Sequence, residues 1–189
     1  MEQKTLYTVT VFSENTVGLL NQITIIFSRR GLNIETLSVS PSALEGIHKF
    51  TITVFADRET VVKVVKQIDK RVDIIKSYFN TDEDLVYQEI ALYKIATPGL
   101  MALGSIEDIV RRYNVRILDM TEDWAVFEKT GHYQETQALF DELKNRTAEN
   151  GKNCVLQFIR SGRIAVTRSK VERLSDMLAA MEEKNNDNK

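Results

Sequence analysis

The chain opens on a strict alternation. In TLYTVTVFSE, residues 5–14, Tyr7, Val9 and Val11 point one way and Leu6, Thr8, Thr10 and Phe12 the other. Such a period-two run, rich in β-branched and aromatic residues, predicts a half-buried strand. The period then changes. Leu19, Leu20, Ile23, Ile26 and Phe27 recur at helical spacing, which predicts a helix over about Val17–Arg30. Asn15 and Thr16 are the candidate caps at its start, and Gly31 stands where a C-terminal cap belongs. NIETLSVS reads as a second strand, and His48, Phe50, Ile52 and Val54 alternate along a third. Asp57 is a candidate N-cap for a second helix that buries Val61, Val64, Val65 and Ile68. VDIIKSYF closes the unit as a fourth strand. The order β-α-β-β-α-β is that of a ferredoxin-like unit, a sheet with its helices on one face.

After the polar, acidic stretch TDEDLVYQ the order repeats. EIALYKI reads as a strand, and Ser105 with Asp108 resembles a capping box ahead of Ile106, Ile109, Val110 and Tyr113. Val115–Met120 and Trp124–Lys129 read as strands, Tyr133–Thr147 as a helix and CVLQFIR as a last strand. The fold class expected is therefore α+β, two successive ferredoxin-like βαββαβ domains. The halves share order, not evident sequence. Past RSGRIAVTRS, the stripe Val171, Leu174, Leu178 and Met181 predicts a C-terminal helix from Ser169 to Glu183, ahead of a polar NNDNK tail. The boundaries expected are 5–80 for the first domain, 81–86 for a linker, 87–168 for the second domain and 169–189 for the helical extension and tail.

Composition narrows the function. At 43% hydrophobic residues the chain can bury a real core, and a net charge of −2 argues against nucleic-acid binding. Tyr7 and Phe50 lie on strands, where exposed aromatics would suit RNA, but the run of basic, glycine and aromatic residues that such binding uses is missing. Both are expected in the core. No apolar run is long enough to span a bilayer and the N-terminus lacks a signal-peptide core, so a cytoplasmic location is expected, without membrane or nucleic-acid partners. One cysteine, Cys154, and two histidines, His48 and His132, are too few for a typical metal site. Cys154 is expected to pack as a small apolar residue. No phosphate-binding or nucleophile motif occurs. The arginine clusters, Arg111 with Arg112 and Arg116, and Arg160 with Arg163 and Arg168, read as solvated faces, with contact to an acidic partner as the alternative.

One corner can do chemistry. A helix N-terminus presents unpaired N–H groups and partial positive charge, which hold a carboxylate. In SENTVGLL, Gly18 would let a ligand approach the backbone, and Asn15 offers an amide oxygen to an ammonium group. Asn33 begins the next strand at an end of the sheet, and Leu19 and Ile34 could receive an apolar side chain. Together these groups suit an amino acid. The plainer alternative makes Asn15 a cap, Gly18 a packing glycine and Asn33 a turn residue, and spacing alone favours it.

A resemblance shifts the balance. VFSENTVGLLNQITIIFSRRGLNIETLSVSPS resembles the opening of acetohydroxyacid (acetolactate) synthase small subunits, a family built on an ACT-type domain. Its pattern of Asn15, Gly18, then Phe27-Ser28 with Arg30-Gly31 and Asn33-Ile34, then Leu37 and Val39, is matched in order. QEIALYKI, ILDMT and RSGRIAVTR extend the likeness to about residue 168, so that the first domain is identified as ACT-type. The resemblance implies a non-catalytic regulatory subunit, with no catalytic residues and no cofactor or metal of its own. Its partner would be a large catalytic subunit carrying thiamine diphosphate, magnesium and FAD. It implies a homodimer through ACT domains and feedback inhibition in valine, leucine and isoleucine synthesis by a branched-chain amino acid, commonly valine. The effector site would take Asn15, Gly18 and Leu19 from one chain and Asn33 and Ile34 from the facing chain. SALEGIHKF, AENGKN and the segment after Ser169 depart from the family's usual pattern. Rival expectations are a free-standing ACT sensor with a different partner and a small enzyme on the same scaffold.

Overall fold

A computed structural model describes residues 4–98, 106–145 and 154–168. The chain divides into two compact units, one of residues up to Tyr87 together with those from Arg163 onward, the other of Gln88–Gly162. The first unit contains β1 (Thr5–Glu14), α1 (Leu19–Ser28), β2 (Ile34–Pro41), β3 (Ile47–Ala56), α2 (Arg58–Ile68) and β4 (Ile74–Asn80). Its antiparallel sheet has the order β2-β3-β1-β4. The alternation read along β1 holds for the apolar face, but Thr8 and Thr10 between its residues are buried as well. Tyr7, Val9 and Val11 face Val54, Ile52 and Phe50 of β3 in register, and all six are buried. Leu19, Ile23, Ile26 and Phe27 of α1 and Val61, Val64, Val65 and Ile68 of α2 close this core from one side. Tyr7 and Phe50 are core residues, as expected.

Local chemistry sets the helix ends. Gly31, at φ 65°, turns the chain after α1, and Leu32 and Gly31 donate their N–H groups to the carbonyls of Phe27 and Ser28. This bond pair is the Schellman arrangement, which favours glycine. At the start of α2, Asp57 accepts from both the N–H and the hydroxyl of Thr60, each at 2.7 Å. These bonds, the backbone one foremost, hold its carboxyl below the ordinary value. A depressed carboxyl stabilises the fold above its unfolded-state pKa and loses that contribution as pH falls through the folded-state value. Asp57→Ala therefore lowers the thermal midpoint near neutral pH, and the gap to the parent narrows below about pH 4. Melting curves of both proteins across pH 2–7 check this.

The second unit repeats the plan. It holds β5 (Leu85–Ala96, crossing the unit boundary), α3 (Ile106–Tyr113), β6 (Arg116–Met120), β7 (Trp124–Gly131), α4 (Tyr133–Asn145) and β8 (Val155–Arg160), with sheet order β6-β7-β5-β8. Its core gathers Ala91, Tyr93, Ile95, Ile109, Ala125, Phe127, Leu139, Leu143 and Cys154. The Tyr93 hydroxyl donates to the Thr136 carbonyl at 2.7 Å, and burial pushes its pKa far up, so it remains a donor. β5 starts at Leu85, inside the stretch read as polar linker, because Leu85 is buried. A further strand, β9 (Ile164–Thr167), pairs with β5 and was not expected from the sequence. The proposed capping box at Ser105, the AENGKN connection and the C-terminal helix and tail fall outside the described residues.

Candidate functional site

The corner singled out in the sequence lies where β1 ends. The Asn15 N–H donates to the Gly46 carbonyl at 3.0 Å, which ties the loop to the start of β3. Neither expected cap caps. α1 begins at Leu19 with Gly18 as its N-cap residue, and no side chain makes a capping bond. The reason is conformational. Gly18 adopts φ 85°, a left-handed turn that L residues rarely enter, so the chain joins the helix two residues later than expected. The Leu19 N–H is taken by the Thr16 carbonyl at 3.2 Å, not by a side chain.

Two consequences bear on binding. First, α1 starts with no side-chain cap and no acidic residue in its first turn, so the positive end of its dipole is left uncompensated. Second, a Cβ built on Gly18 would meet nothing within 4 Å. The glycine is demanded by backbone angle, not by close packing, and the space in front of it is open. The packing-glycine alternative is thereby removed.

The other candidates are placed as follows. Leu19 is 2% exposed and belongs to the core. The exposed apolar residues on either side of Gly18 and Leu19 are Val17, 99% exposed, and Leu20, 45% exposed, the latter expected in the helical stripe. Asn33 is exposed and donates to the Glu35 carboxylate at 3.2 Å. Ile34 is half-buried against the core.

Within one chain these residues do not come together. Ile34 pairs with Val54, while Pro41 pairs with His48, the residue opposite Ser13 on β1. Asn15 and Gly18 therefore sit at the Pro41 end of β2, and Asn33 and Ile34 at its start. Seven strand steps separate the two ends, about 23 Å. Among the described residues β2 has a strand neighbour on one side only, and its other edge is unpaired there.

The two arginine clusters differ. Arg111, Arg112 and Arg116 are exposed, with Arg112 paired to Glu142 and Arg116 to Glu128. The expectation of a solvated face fails for Arg160 and Arg163. Arg160 is paired with buried Glu89 at 3.0 Å and lies over the Tyr133 and Phe158 rings. Arg163 is 8% exposed and ion-paired with Asp82. Both have carboxylate partners distant in sequence that offset desolvation. Among the described residues no cluster of three or more His, Cys, Asp or Glu side chains could hold a metal, and no helix is long and apolar enough to cross a membrane.

Comparison with known proteins agrees with this architecture. Residues 9–76 match the family described as the AHAS small subunit-like ACT domain, and residues 88–169 that described as the small subunit of acetolactate synthase. The chain is 30% identical over 160 residues to the acetolactate synthase small subunit of Aquifex aeolicus, covering 85% of this chain and 80% of that one. It is 30% identical over 142 residues to the Bacillus subtilis acetolactate synthase small subunit, covering 75% and 81%. The crystal structure of the Thermotoga maritima acetolactate synthase small subunit superposes with a TM-score of 0.76 at 26% identity, over 88% of this chain and 99% of that one. With a regulatory-type ferredoxin-like fold, an open uncapped helix start and matches across both units, this chain belongs to the acetolactate synthase small subunit family.

Proposed function

We propose that this chain is a non-catalytic regulatory subunit that activates a large, thiamine-diphosphate-dependent acetolactate synthase subunit and makes it sensitive to valine. The observation that carries the effector half is the separation of Asn15 and Gly18 from Asn33 and Ile34 along β2. A two-fold dimer that pairs β2 with β2 of a second copy runs the two strands antiparallel. Each β2 start then lies beside the other chain's β2 end. Asn33 and Ile34 of one copy meet Asn15 and Gly18 of the other, and two equivalent sites form.

Each group has a role in such a site. The open N-terminus of α1 takes the effector's carboxylate, with Gly18 giving close access to backbone N–H groups. The Asn15 amide oxygen accepts from the ammonium group. Val17, Leu20 and Ile34 of the facing chain line the aliphatic side chain. Leu19 supports the site from the core. Occupied sites favour one dimer arrangement over another, and the catalytic partner senses the difference. A coupling of about 1–3 kcal/mol is enough for useful inhibition, provided valine binds the two arrangements unequally. In this reading residues 5–80 bind effector and dimerise. The catalytic subunit holds thiamine diphosphate, magnesium and FAD, this chain holds none, and the complex works in the cytoplasm.

The deciding experiment is acetolactate formation by the purified large subunit from the same organism, with and without this chain, then with valine. A rate raised by the chain and lowered again by valine is expected. Activation without valine sensitivity would leave the partnership and remove the effector. No binding and no activation would leave an ACT-type sensor for some other partner.

A further inference from the structure

The first unit does not end with β4. After β8 the chain passes Gly162, at φ 75°, and residues from Arg163 return to the first unit. Arg163 is the anchor of this return. Its guanidinium donates to the Thr8 hydroxyl at 2.9 Å and to the two Asp82 oxygens at 2.5 and 3.4 Å. It also lies 3.7 Å from the centre of the Tyr87 ring. The Tyr87 hydroxyl in turn donates to Asp82 at 2.9 Å, which fixes the carboxylate that receives the arginine. Thr8 is wholly buried on β1, a central strand, so the arginine reaches well into the sheet.

The main chain follows the anchor down. Lys49 donates its ammonium group to the Ala165 carbonyl. The Arg168 N–H donates to the Asp84 carbonyl at 2.8 Å, and its side chain to the Leu85 carbonyl at 2.9 Å. Asn80 faces Thr8 across the β1–β4 ladder, and its side-chain oxygen is buried without a hydrogen-bond partner.

These groups select a guanidinium by chemistry. A planar cation can pair with a carboxylate through two nitrogens while its face rests on an aromatic ring. An ammonium group offers neither the fork nor the flat face. We propose that the first unit carries an arginine-recognition site, built from Thr8, Asp82 and Tyr87, and that the chain's own Arg163 is its ligand. Residues 163–168 are then a strap seated by one side chain. The first unit is completed only by a segment that follows the second, so residues 88–162 form an insertion held at both ends. This inference stands apart from the effector reading and needs neither valine nor a catalytic partner.

Hydrogen exchange on the full-length chain tests it. In the parent, the amides of residues 164–168 are expected to be protected. In Arg163→Ala they exchange about tenfold faster or more, while the β3 amides keep their protection. Methylguanidinium at millimolar concentration slows the strap again in Arg163→Ala and leaves the parent unchanged. Arg163→Lys behaves like the alanine variant. Should Arg163→Ala fail to fold, Asp82→Asn, at a partly exposed residue, supplies the exchange arm of the test, with faster strap exchange expected and no rescue by methylguanidinium because the site itself is altered. A strap unprotected in the parent, exchange unaffected by either variant, a lysine that serves as well as arginine, or no rescue of Arg163→Ala by methylguanidinium would each overturn the proposal.

Discussion

Replacing Asn15 with alanine is expected to raise the valine concentration for half-inhibition of the reconstituted synthase by about 10–100-fold. The size follows from the bond removed. A hydrogen bond to a charged group is worth about 1.5–3 kcal/mol, and each 1.4 kcal/mol is tenfold in affinity. The test is clean because, among the described residues, the Asn15 side chain has no structural duty. Its backbone N–H, which the substitution keeps, ties the loop to Gly46, and the side chain is exposed. It does not cap α1. The thermal midpoint and the activation of the catalytic subunit should therefore stay at the parent's values while inhibition curves shift. Curves that superpose on the parent's would take Asn15 out of the site. A fall in activation alongside the shift would mean that the loop also touches the partner.

Much of this architecture is visible in the amino-acid order, and the reasons are physical. Tyr7, Val9 and Val11 alternate because β1 has one face on the core, and Ile23, Ile26 and Phe27 recur because α1 presents one stripe to it. Burial imposes a period, and a period survives in one dimension. The start of α1 does not, because it depends on the angle of one residue. On paper Gly18 serves equally as a packing glycine or as an opening onto the backbone, and only its φ of 85° and the open space before it remove the first. Leu20 is exposed and Leu19 lies in the core. Arg163 is hidden for a different reason. Its partners Thr8 and Asp82 stand 155 and 81 residues away, so no local window contains the site. Between other basic residues a buried arginine looks like a solvated one. β9 is missed for the same cause, four residues whose place is set by contacts made far back in the chain. Thr8, Thr10, Thr51 and Thr53, the polar positions between the apolar ones on β1 and β3, are all buried too, which the alternation alone does not disclose.

Mixed dimers should recover inhibition that neither parent variant shows. In a homodimer of Asn15→Ala, each site lacks its Asn15, and in a homodimer of Asn33→Ala each lacks its Asn33. A mixed dimer sorts the lesions unevenly if every site draws Asn15 from one copy and Asn33 from the other. One of its sites takes both alanines and is lost. The other takes both asparagines and is native. Chains carrying different tags and purified through both in turn would bind valine at one native-affinity site per dimer by calorimetry. If Asn15 and Asn33 acted within one chain, every site would carry a lesion and none would bind as the parent does. The β2 geometry favours the first outcome. Seven strand steps, about 23 Å, part the two residues in one chain, far more than an amino acid can bridge. Antiparallel pairing of two β2 edges closes that distance without any movement within a chain. Absence of a native site in the mixed dimer would therefore overturn the shared site itself, while leaving membership of the family and the partnership with the catalytic subunit intact.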